Sequence, residues 1–348
     1  MHTRKLTFVV GTGRCGSTAL SQVVNLHPDM LSVNELFASV PGPQVLGDEP
    51  MSGTEFWGHL ARPNPVADTM LRNGAPPPEF LYNRRPRGRY RVETTGIPAV
   101  SMMVLPHLTD DPDGLLDALE PEVSAWPVRS PARHWEAFFD ALAVRFGDPG
   151  AVVERSGLSL GRVPQLRRLF PHARFVHLYR DGPDCALSMS RHVGFRLLLL
   201  MWEMADRCGL ASPHELTAEH AATLPADLAP LLGERFDPAL VLDRPMPLSV
   251  FGGLWSHLVV DGVDRLEEIP QSQRSTLRYE QLIADPRGEL KRLADFAGVE
   301  ADPRWLTAGA ALLDGGRCGA ALNLPADELA ALRRSCEPGM RALARHGC

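Results

Sequence analysis

A glycine-rich stretch, GTGRCGST at 11–18, directly follows the apolar run LTFVV at 6–10. It matches G-x-G-x-x-G, the dinucleotide-binding fingerprint. It also matches the Walker pattern G-x-x-x-x-G-K-[ST], except that Ser17 stands in place of the lysine. A strand, a glycine loop and a helix start bring backbone N–H groups and the positive end of the helix dipole to one point. The sequence therefore predicts an anion-binding turn, to which Ser17 and Thr18 add hydroxyl donors.

Short apolar runs alternate with helical patterns along the chain, which favours an α/β fold with a mainly parallel central sheet flanked by helices. The predicted strands are 6–10, 30–33, 151–154, 174–179 and 275–279. The predicted helices are 17–26, 131–146, 161–169, 183–192, 251–268, 286–297 and 325–345. We expect one domain over 1–348. Two long stretches, 38–130 and 205–250, fit the alternation poorly and are expected to be irregular insertions that form the acceptor side.

Composition narrows the classes of function. A net charge of −6 over 348 residues argues against nucleic-acid binding, which needs surplus Lys and Arg. No apolar run reaches the roughly 20 residues that span a bilayer, and the N-terminus lacks a signal-peptide pattern, so we expect a cytoplasmic protein without a transmembrane segment. The six cysteines form no C-x-x-C pair, so we expect reduced thiols and no zinc site.

The loop alone leaves its ligand open. A dinucleotide needs an acidic residue about 20 positions on, and Glu35 lies at that distance from Gly16. An ATPase needs the missing lysine together with magnesium. Arg14, a cation within the loop, suits a donor whose transferred group carries less charge, such as a sulfuryl group on a nucleotide phosphate, without a metal.

A second candidate anion site lies in RFVHLYRDGPDCALSMSRH at 174–192. Arg180 follows a buried-looking strand at the carboxyl end, where α/β proteins bind ligands, and Ser188 lies two turns along the next helix. An arginine in such a place is typically a phosphate or carboxylate partner. The alternative is a surface pair of Arg180 with an aspartate.

Three blocks, FVVGTGRCGSTAL, RFVHLYRDGPDCALSMS and LRYEQLIADPRGELKRLADFAGV (277–299), resemble in order and spacing those of sulfotransferases that use PAPS (3′-phosphoadenosine 5′-phosphosulfate). The match is nearer the carbohydrate and tyrosylprotein branches and related bacterial enzymes than the cytosolic phenol and steroid branch. The resemblance implies a P-loop-like fold and metal-free, in-line sulfuryl transfer. Ala19 stands where cytosolic members have an adenine-binding tryptophan, so base recognition is expected to differ.

The resemblance also implies roles for particular residues. The 5′-phosphosulfate would be bound by Arg14, Cys15, Gly16, Ser17 and Thr18. The 3′-phosphate would be bound by Arg180 and Ser188, with Arg317 in GGRCG (315–319) as a further ligand, and Tyr279 would lie near the adenine.

A hydroxyl acceptor needs a base within hydrogen-bond reach. Glu35 is our first choice, because the residue after the second strand should emerge beside the loop. His107 and His134 are the alternatives, and Arg155 is predicted to steady charge near the transferred group. The arginine cluster at 84–91 is either a solvated loop or an anion-attracting one, and the apolar segment 195–204 is either a core helix or part of a lipid-accepting groove.

These observations predict a PAPS-dependent sulfotransferase whose acceptor is a hydroxyl of a small molecule, carbohydrate or glycolipid. Glu35, Arg14 and Arg155 are its predicted catalytic residues. An NAD-dependent oxidoreductase that uses the glycine loop and a non-catalytic nucleotide-binding member of the family are the alternatives. The acceptor's identity and the oligomeric state are left open.

Overall fold

A computed structural model describes residues 4–40, 42, 44–85, 88–313 and 315–346, apart from the side chain of Arg317. Its centre is a sheet of five strands: β1 Lys5–Val10, β2 Met30–Asn34, β3 Ala151–Arg155, β4 Arg174–Tyr179 and β5 Arg274–Arg278. The strand order is β2-β3-β1-β4-β5, and every neighbouring pair is parallel. All carboxyl ends of the strands therefore lie at one edge of the sheet.

Helices surround this sheet. The α-helices are α1 Ser17–Val24, α2 Leu36–Ser39, α3 Gly53–Ala61, α4 Pro65–Arg72, α5 Ala99–Met103, α6 Leu105–Leu108, α7 Pro112–Ser124, α8 Pro131–Arg145, α9 Val163–Leu169, α10 Gly182–Ser190, α11 Val193–Arg207, α12 Ala239–Leu242, α13 Leu248–Glu267, α14 Tyr279–Ala284, α15 Pro286–Ala297, α16 Pro303–Leu312 and α17 Ala326–Arg345. Short 3-10 turns are Gln44–Leu46, Tyr82–Arg84, Ser159–Arg162, Pro213–Glu215, Ala218–Thr223, Ala229–Leu232, Gln271–Gln273, Gly315–Arg317 and Ala320–Asn323.

Alternate residues of each strand enter two separate hydrophobic cores, as the pleat requires. On β1, Phe8 and Val10 pack with the aromatic side chains of α8 on one face, while Val9 packs with α1 and α15 on the other. Both faces are buried at the inner strands β3, β1 and β4, which explains why these strands are rich in apolar residues. The predicted fold class, a mainly parallel sheet flanked by helices, is confirmed.

The stretch 38–130 contains more helix than its composition indicates. Helix α3 begins with a capping box formed by Ser52 and Glu55, and α4 and α7 begin after Asn64 and Asp111, whose side chains accept backbone N–H groups. Most of these helices are short, and the longest connection between them runs from the end of α4 at Arg72 to the start of α5 at Ala99. Between the end of α11 and the start of α13, the stretch 205–250 is mostly irregular, with three short 3-10 turns and the single turn α12.

Candidate functional site

Each of the five strands delivers a predicted site residue at its carboxyl end. The glycine loop follows β1, Glu35 follows β2, Arg155 is the last residue of β3, Arg180 follows β4, and Tyr279 follows β5. Parallel register brings these ends together: Arg155 pairs with Val9 of β1 and with Asn34 of β2. The sheet edge where ligands bind in open α/β folds therefore collects residues from all three sequence blocks.

The loop between β1 and α1 requires glycine at two positions. Gly16 has φ 92°, and a Cβ there would collide with the ring of Tyr279. Gly13 has φ 77°, and its Cβ would lie 2.9 Å from Cζ of Phe195. Arg14, between them, adopts a left-handed conformation at φ 60°, which is costly for a residue with a side chain. The loop is thus enclosed by Tyr279 and Phe195.

Arg14 reaches out of the loop to two partners. Its Nη1 donates to Oε1 of Glu79 at 2.7 Å, and its Nε donates to Oγ of Ser188 at 3.2 Å. The other oxygen of Glu79 lies 2.9 Å from Nε2 of His192. Burial raises the pKa of Glu79, but the contact with His192 and the charge of Arg14 outweigh it and bring that pKa down to about 2. Glu79 is therefore ionised at neutral pH and is the counter-ion of Arg14 in this structure.

Arg180 is buried and lies beside Tyr279. Its Nη2 donates to Oδ2 of Asp184 at 3.1 Å, and its guanidinium lies 5.2 Å from the centre of the Tyr279 ring. Asp184 also accepts the backbone N–H groups of Gly319 at 2.6 Å and Ala321 at 2.8 Å. The predicted alternative of a surface Arg–Asp pair is wrong, because both side chains are less than a tenth exposed. Asp184 of this pair instead anchors the segment 319–321, at the end of GGRCG, to the sheet edge.

Glu35 and Arg155 form a buried ion pair between Oε1 and Nη1. The second carboxylate oxygen of Glu35 accepts the N–H of Gly157 at 2.7 Å, and Nε of Arg155 donates to Oγ of Ser21 at 3.0 Å. Glu35 itself has φ 56°, a left-handed conformation. These contacts hold the carboxylate in one orientation at the carboxyl end of β2.

These residues line one cavity of about 870 Å³, which is large for a single small-molecule site. Its charged lining residues are Arg14, Glu35, Glu79, Arg155 and Arg180. Gly16, Ser17, Thr18, Ser188 and Tyr279 also line it. A second cavity of about 530 Å³ shares Arg14, Arg180, Ser188 and His192 with the first and adds Asp184, Arg191 and Gly316. The two cavities therefore adjoin at a cluster of cationic and polar groups.

The structure places several other candidates away from this cavity. His107 lies behind Arg155 with its Nε2 3.0 Å from Oγ of Ser32, and burial together with the Arg155 charge lowers its pKa to about 4. His134 is fully buried, lies 2.8 Å from the Met51 carbonyl through Nε2, and accepts from Arg129. The Cys15 thiol is buried in the core. None of the three lines the cavity.

The arginine cluster is engaged in structural contacts where it is described. Arg85 binds carbonyls of Pro106 and Asp110, and Arg89 pairs with Asp117. Neither lines the large cavity. Arg87, and the Arg317 side chain that is a predicted 3′-phosphate ligand, lie outside the described residues.

Sequence reasoning missed Glu79 and His192. Glu79 follows a run of prolines, where a single carboxylate gives no signal. For His192 the sequence did contain a signal. It continues a series at four-residue spacing, a spacing that puts side chains on one face of a helix; the series is Arg180, Asp184, Ser188 and His192.

Three further expectations concern the whole chain. The cysteines described, which exclude Cys348, are free thiols. Among the described residues no group of three or more His, Cys, Asp or Glu side chains is placed to hold a metal ion. In the same part of the chain, no helix combines the length and apolarity needed to cross a bilayer.

Comparison with protein families identifies the class. A model described as "Sulfotransferase family" matches residues 7–222, and one described as "Sulfotransferase domain" matches residues 164–308. The chain belongs to the sulfotransferase family, which confirms the resemblance drawn from the three sequence blocks and does not favour the oxidoreductase alternative. A search of curated proteins found no match.

Solved structures similar to this chain are also sulfotransferases. The sulfotransferase domain from the curacin biosynthetic pathway is 14% identical over 100% of this chain and 99% of its own, with a TM-score of 0.48. The sulfotransferase domain of the Synechococcus PCC 7002 olefin synthase is 15% identical over 97% and 94%, with a TM-score of 0.44. Sulfotransferase STF9 from Mycobacterium avium is 13% identical over 99% and 76%, with a TM-score of 0.45.

Proposed function

We propose that this protein transfers a sulfuryl group from PAPS to a hydroxyl of a small-molecule, carbohydrate or lipid acceptor. The observation that carries the proposal is that the glycine loop, Arg14, Glu35, Arg155, Arg180 and Ser188 line a single cavity at the carboxyl edge of the sheet. Membership of the sulfotransferase family supports the reaction type.

The donor end has two places for anions. The loop offers backbone N–H groups at the start of α1 and the hydroxyls of Ser17 and Thr18, which would hold the 5′-phosphosulfate. Arg180 and Ser188, where the two cavities adjoin, would hold the 3′-phosphate. Tyr279 packs on Gly16 and would border the adenine. Arg14 is within reach of both proposed anion sites. On donor binding it would exchange its ion pair with Glu79 for contacts with the donor.

At the acceptor end of the cavity, Glu35 and Arg155 would act on the acceptor hydroxyl. In the reaction, the bond from sulfur to the donor phosphate oxygen breaks as one to the acceptor oxygen forms, giving a sulfate ester and 3′,5′-ADP. Glu35 would take the hydroxyl proton as general base, with its carboxylate oriented by Arg155 and Gly157. Arg14 and Arg155 would stabilise charge that develops on the bridging oxygen.

The test incubates the protein with sulfur-labelled PAPS and a panel of sugars, lipids and phenols, and measures labelled ester. We expect transfer, and we expect Glu35→Gln to lower kcat by about 10²–10⁴-fold, the usual contribution of a general base. Glutamine keeps an oxygen for Arg155, so thermal stabilisation by 3′,5′-ADP should persist. The exposed Glu49→Gln variant is the matched control and should turn over like the wild type.

Two results would count against the proposal. If Glu35→Gln keeps the wild-type kcat, Glu35 is not the base. If 3′,5′-ADP binds but no acceptor is ever sulfated, the chain is the non-catalytic nucleotide-binding member that the sequence leaves open.

A further inference from the structure

The large cavity is lined asymmetrically. All of its charged side chains, Arg14, Glu35, Glu79, Arg155 and Arg180, belong to or contact the donor and base residues described above. The rest of the lining is mostly apolar, and much of its apolar part comes from α4, α11 and the stretch 213–236. Its main members are Val66, Met70, Leu198, Met201, Leu232 and Phe236. Within the described lining, these three elements contribute no Asp, Glu, Lys or Arg; their polar members are Thr69, His214 and Thr217, and His192 lies just before α11.

The apolar lining contributed by α4, α11 and 213–236, called the wall below, is backed by a packed core. Leu200 and Met204 of α11 pack with Leu228, Leu231 and neighbours in a hydrophobic core of their own. On the cavity side, Leu197, Leu198 and Met201 are only partly buried, so apolar surface remains available there. The segment at 195–204 is therefore a core helix on one side, as one of its two interpretations had it, and lines the cavity on the other.

The chemistry of the wall selects among acceptors. A free sugar carries hydroxyls all round, and each one buried against Leu and Met without a partner costs roughly 1–3 kcal/mol. An apolar body gains instead from burial in proportion to its area. A wall with few hydrogen-bonding groups beside a charged reaction centre thus fits a molecule that is polar at one end only.

We propose that the acceptor is an amphiphilic alcohol, with one hydroxyl at Glu35 and an extended hydrocarbon body against α11 and the 213–236 stretch. This inference rests on the proposed sulfotransferase function and narrows it: free carbohydrates are excluded as acceptors, and a glycolipid would have to present its hydroxyl ahead of its apolar part.

A homologous series of primary alcohols from butanol to dodecanol tests the inference. With sulfur-labelled PAPS, kcat/KM should rise about fourfold per added methylene, the factor expected for burying one CH₂, until the cavity is filled. Met201→Lys, which puts a charge into the wall, should lower kcat/KM for decanol at least about tenfold and change that for butanol little. The matched control is Trp202→Lys on the same helix, because Trp202 is 47% exposed and does not line the cavity.

A calorimetric titration of decanol without PAPS separates this inference from the proposed function. Decanol binding that Met201→Lys weakens and Trp202→Lys does not supports the apolar site even if no sulfate ester forms, in which case the proposed function fails alone. Sulfation of sugars or short alcohols with no dependence on chain length would overturn the apolar acceptor and leave the sulfotransferase function standing. Absence of decanol binding would likewise overturn it.

Discussion

Two predicted site residues, Arg14 and Glu35, adopt left-handed backbone conformations that are unfavourable for side chains other than glycine. Leu158, which also lines the cavity, is a third such residue at φ 56°. Strained residues of this kind persist where surrounding contacts fix them, and they concentrate at functional sites. The sequence identified Arg14 and Glu35 by type and position, but their backbone strain depends on tertiary contacts and had no local signal.

Arg14→Ala separates binding from chemistry. Because the loop N–H groups, Arg180 and Ser188 remain, we expect the affinity for 3′,5′-ADP to fall less than about tenfold. Loss of a cation that acts on the bridging oxygen should lower kcat by about 10²–10³-fold. Calorimetric affinities and single-turnover rates check this. Equal losses in affinity and in rate would mean that Arg14 binds the nucleotide but does not stabilise the transition state further.

Glu154, next to Arg155 on β3, gives the stability a definite pH dependence. Burial is the main cause that raises its pKa to about 8 from an ordinary value of 4.5, so the carboxyl is protonated in the folded protein at neutral pH. Below pH 4.5 both folded and unfolded chains hold the proton. As the pH rises towards 8 only the unfolded chain releases it, and the folded state loses stability.

Glu154→Gln removes this titration while keeping an acceptor for Ser156. We expect the variant to gain stability relative to the wild type as the pH rises from 4.5 to 8, by at most about 1.4 kcal/mol per pH unit, and to level off above that. Denaturant unfolding at several pH values measures it. A difference that stays constant with pH, or shrinks, would show that Glu154 is ionised in the folded protein.

At the scale of elements, the sequence predicted all five strands to within a residue or so at each end. The inner strands are apolar runs buried on both faces, whereas the edge strand β5 (RSTLR) is mostly half-buried. The prediction was wrong for Tyr279. The sequence predicted it as the last residue of the fifth strand, whereas in the structure it is the first residue of α14. The helices within 38–130 were not predicted, although Ser52 with Glu55 and the pairs Asn64-Pro65 and Asp111-Pro112 are recognisable helix starts. Their short length and the prolines between them hid the periodicity.

The start of α10 and the segment 319–321 are joined through one carboxylate. Asp184→Asn removes the negative charge that orients buried Arg180 and weakens the bonds to Gly319 and Ala321, so we expect the affinity for 3′,5′-ADP to fall about tenfold while that for 5′-AMP changes little. Asp295→Asn breaks an exposed i,i+4 pair with Lys291 and is the matched control without effect. Equal loss for both nucleotides would contradict a local role at the 3′-phosphate.

At the scale of the whole molecule, the two ends of the large cavity have different origins. The end for which we propose the donor and base roles comes largely from residues at the carboxyl ends of the five strands, which sequence blocks can reveal because each block is local. Much of the apolar wall comes from α4 and the 213–236 stretch, parts of 38–130 and 205–250, together with α11. Which of their side chains face the cavity depends on how loops pack over the sheet, and no periodicity encodes that. The chemical identity of the acceptor could therefore not be predicted from the sequence.

We propose that the carboxyl edge of the sheet binds a nucleotide with anionic groups at both its 5′ and 3′ positions. Calorimetric titration of the protein with 3′,5′-ADP, 5′-AMP and NADH tests it most directly. We expect 3′,5′-ADP to bind at least about tenfold more tightly than 5′-AMP, because in our proposal Arg180 and Ser188 hold the 3′-phosphate. We expect no binding of NADH. Equal binding of 3′,5′-ADP and 5′-AMP, or binding of NADH alone, would contradict it.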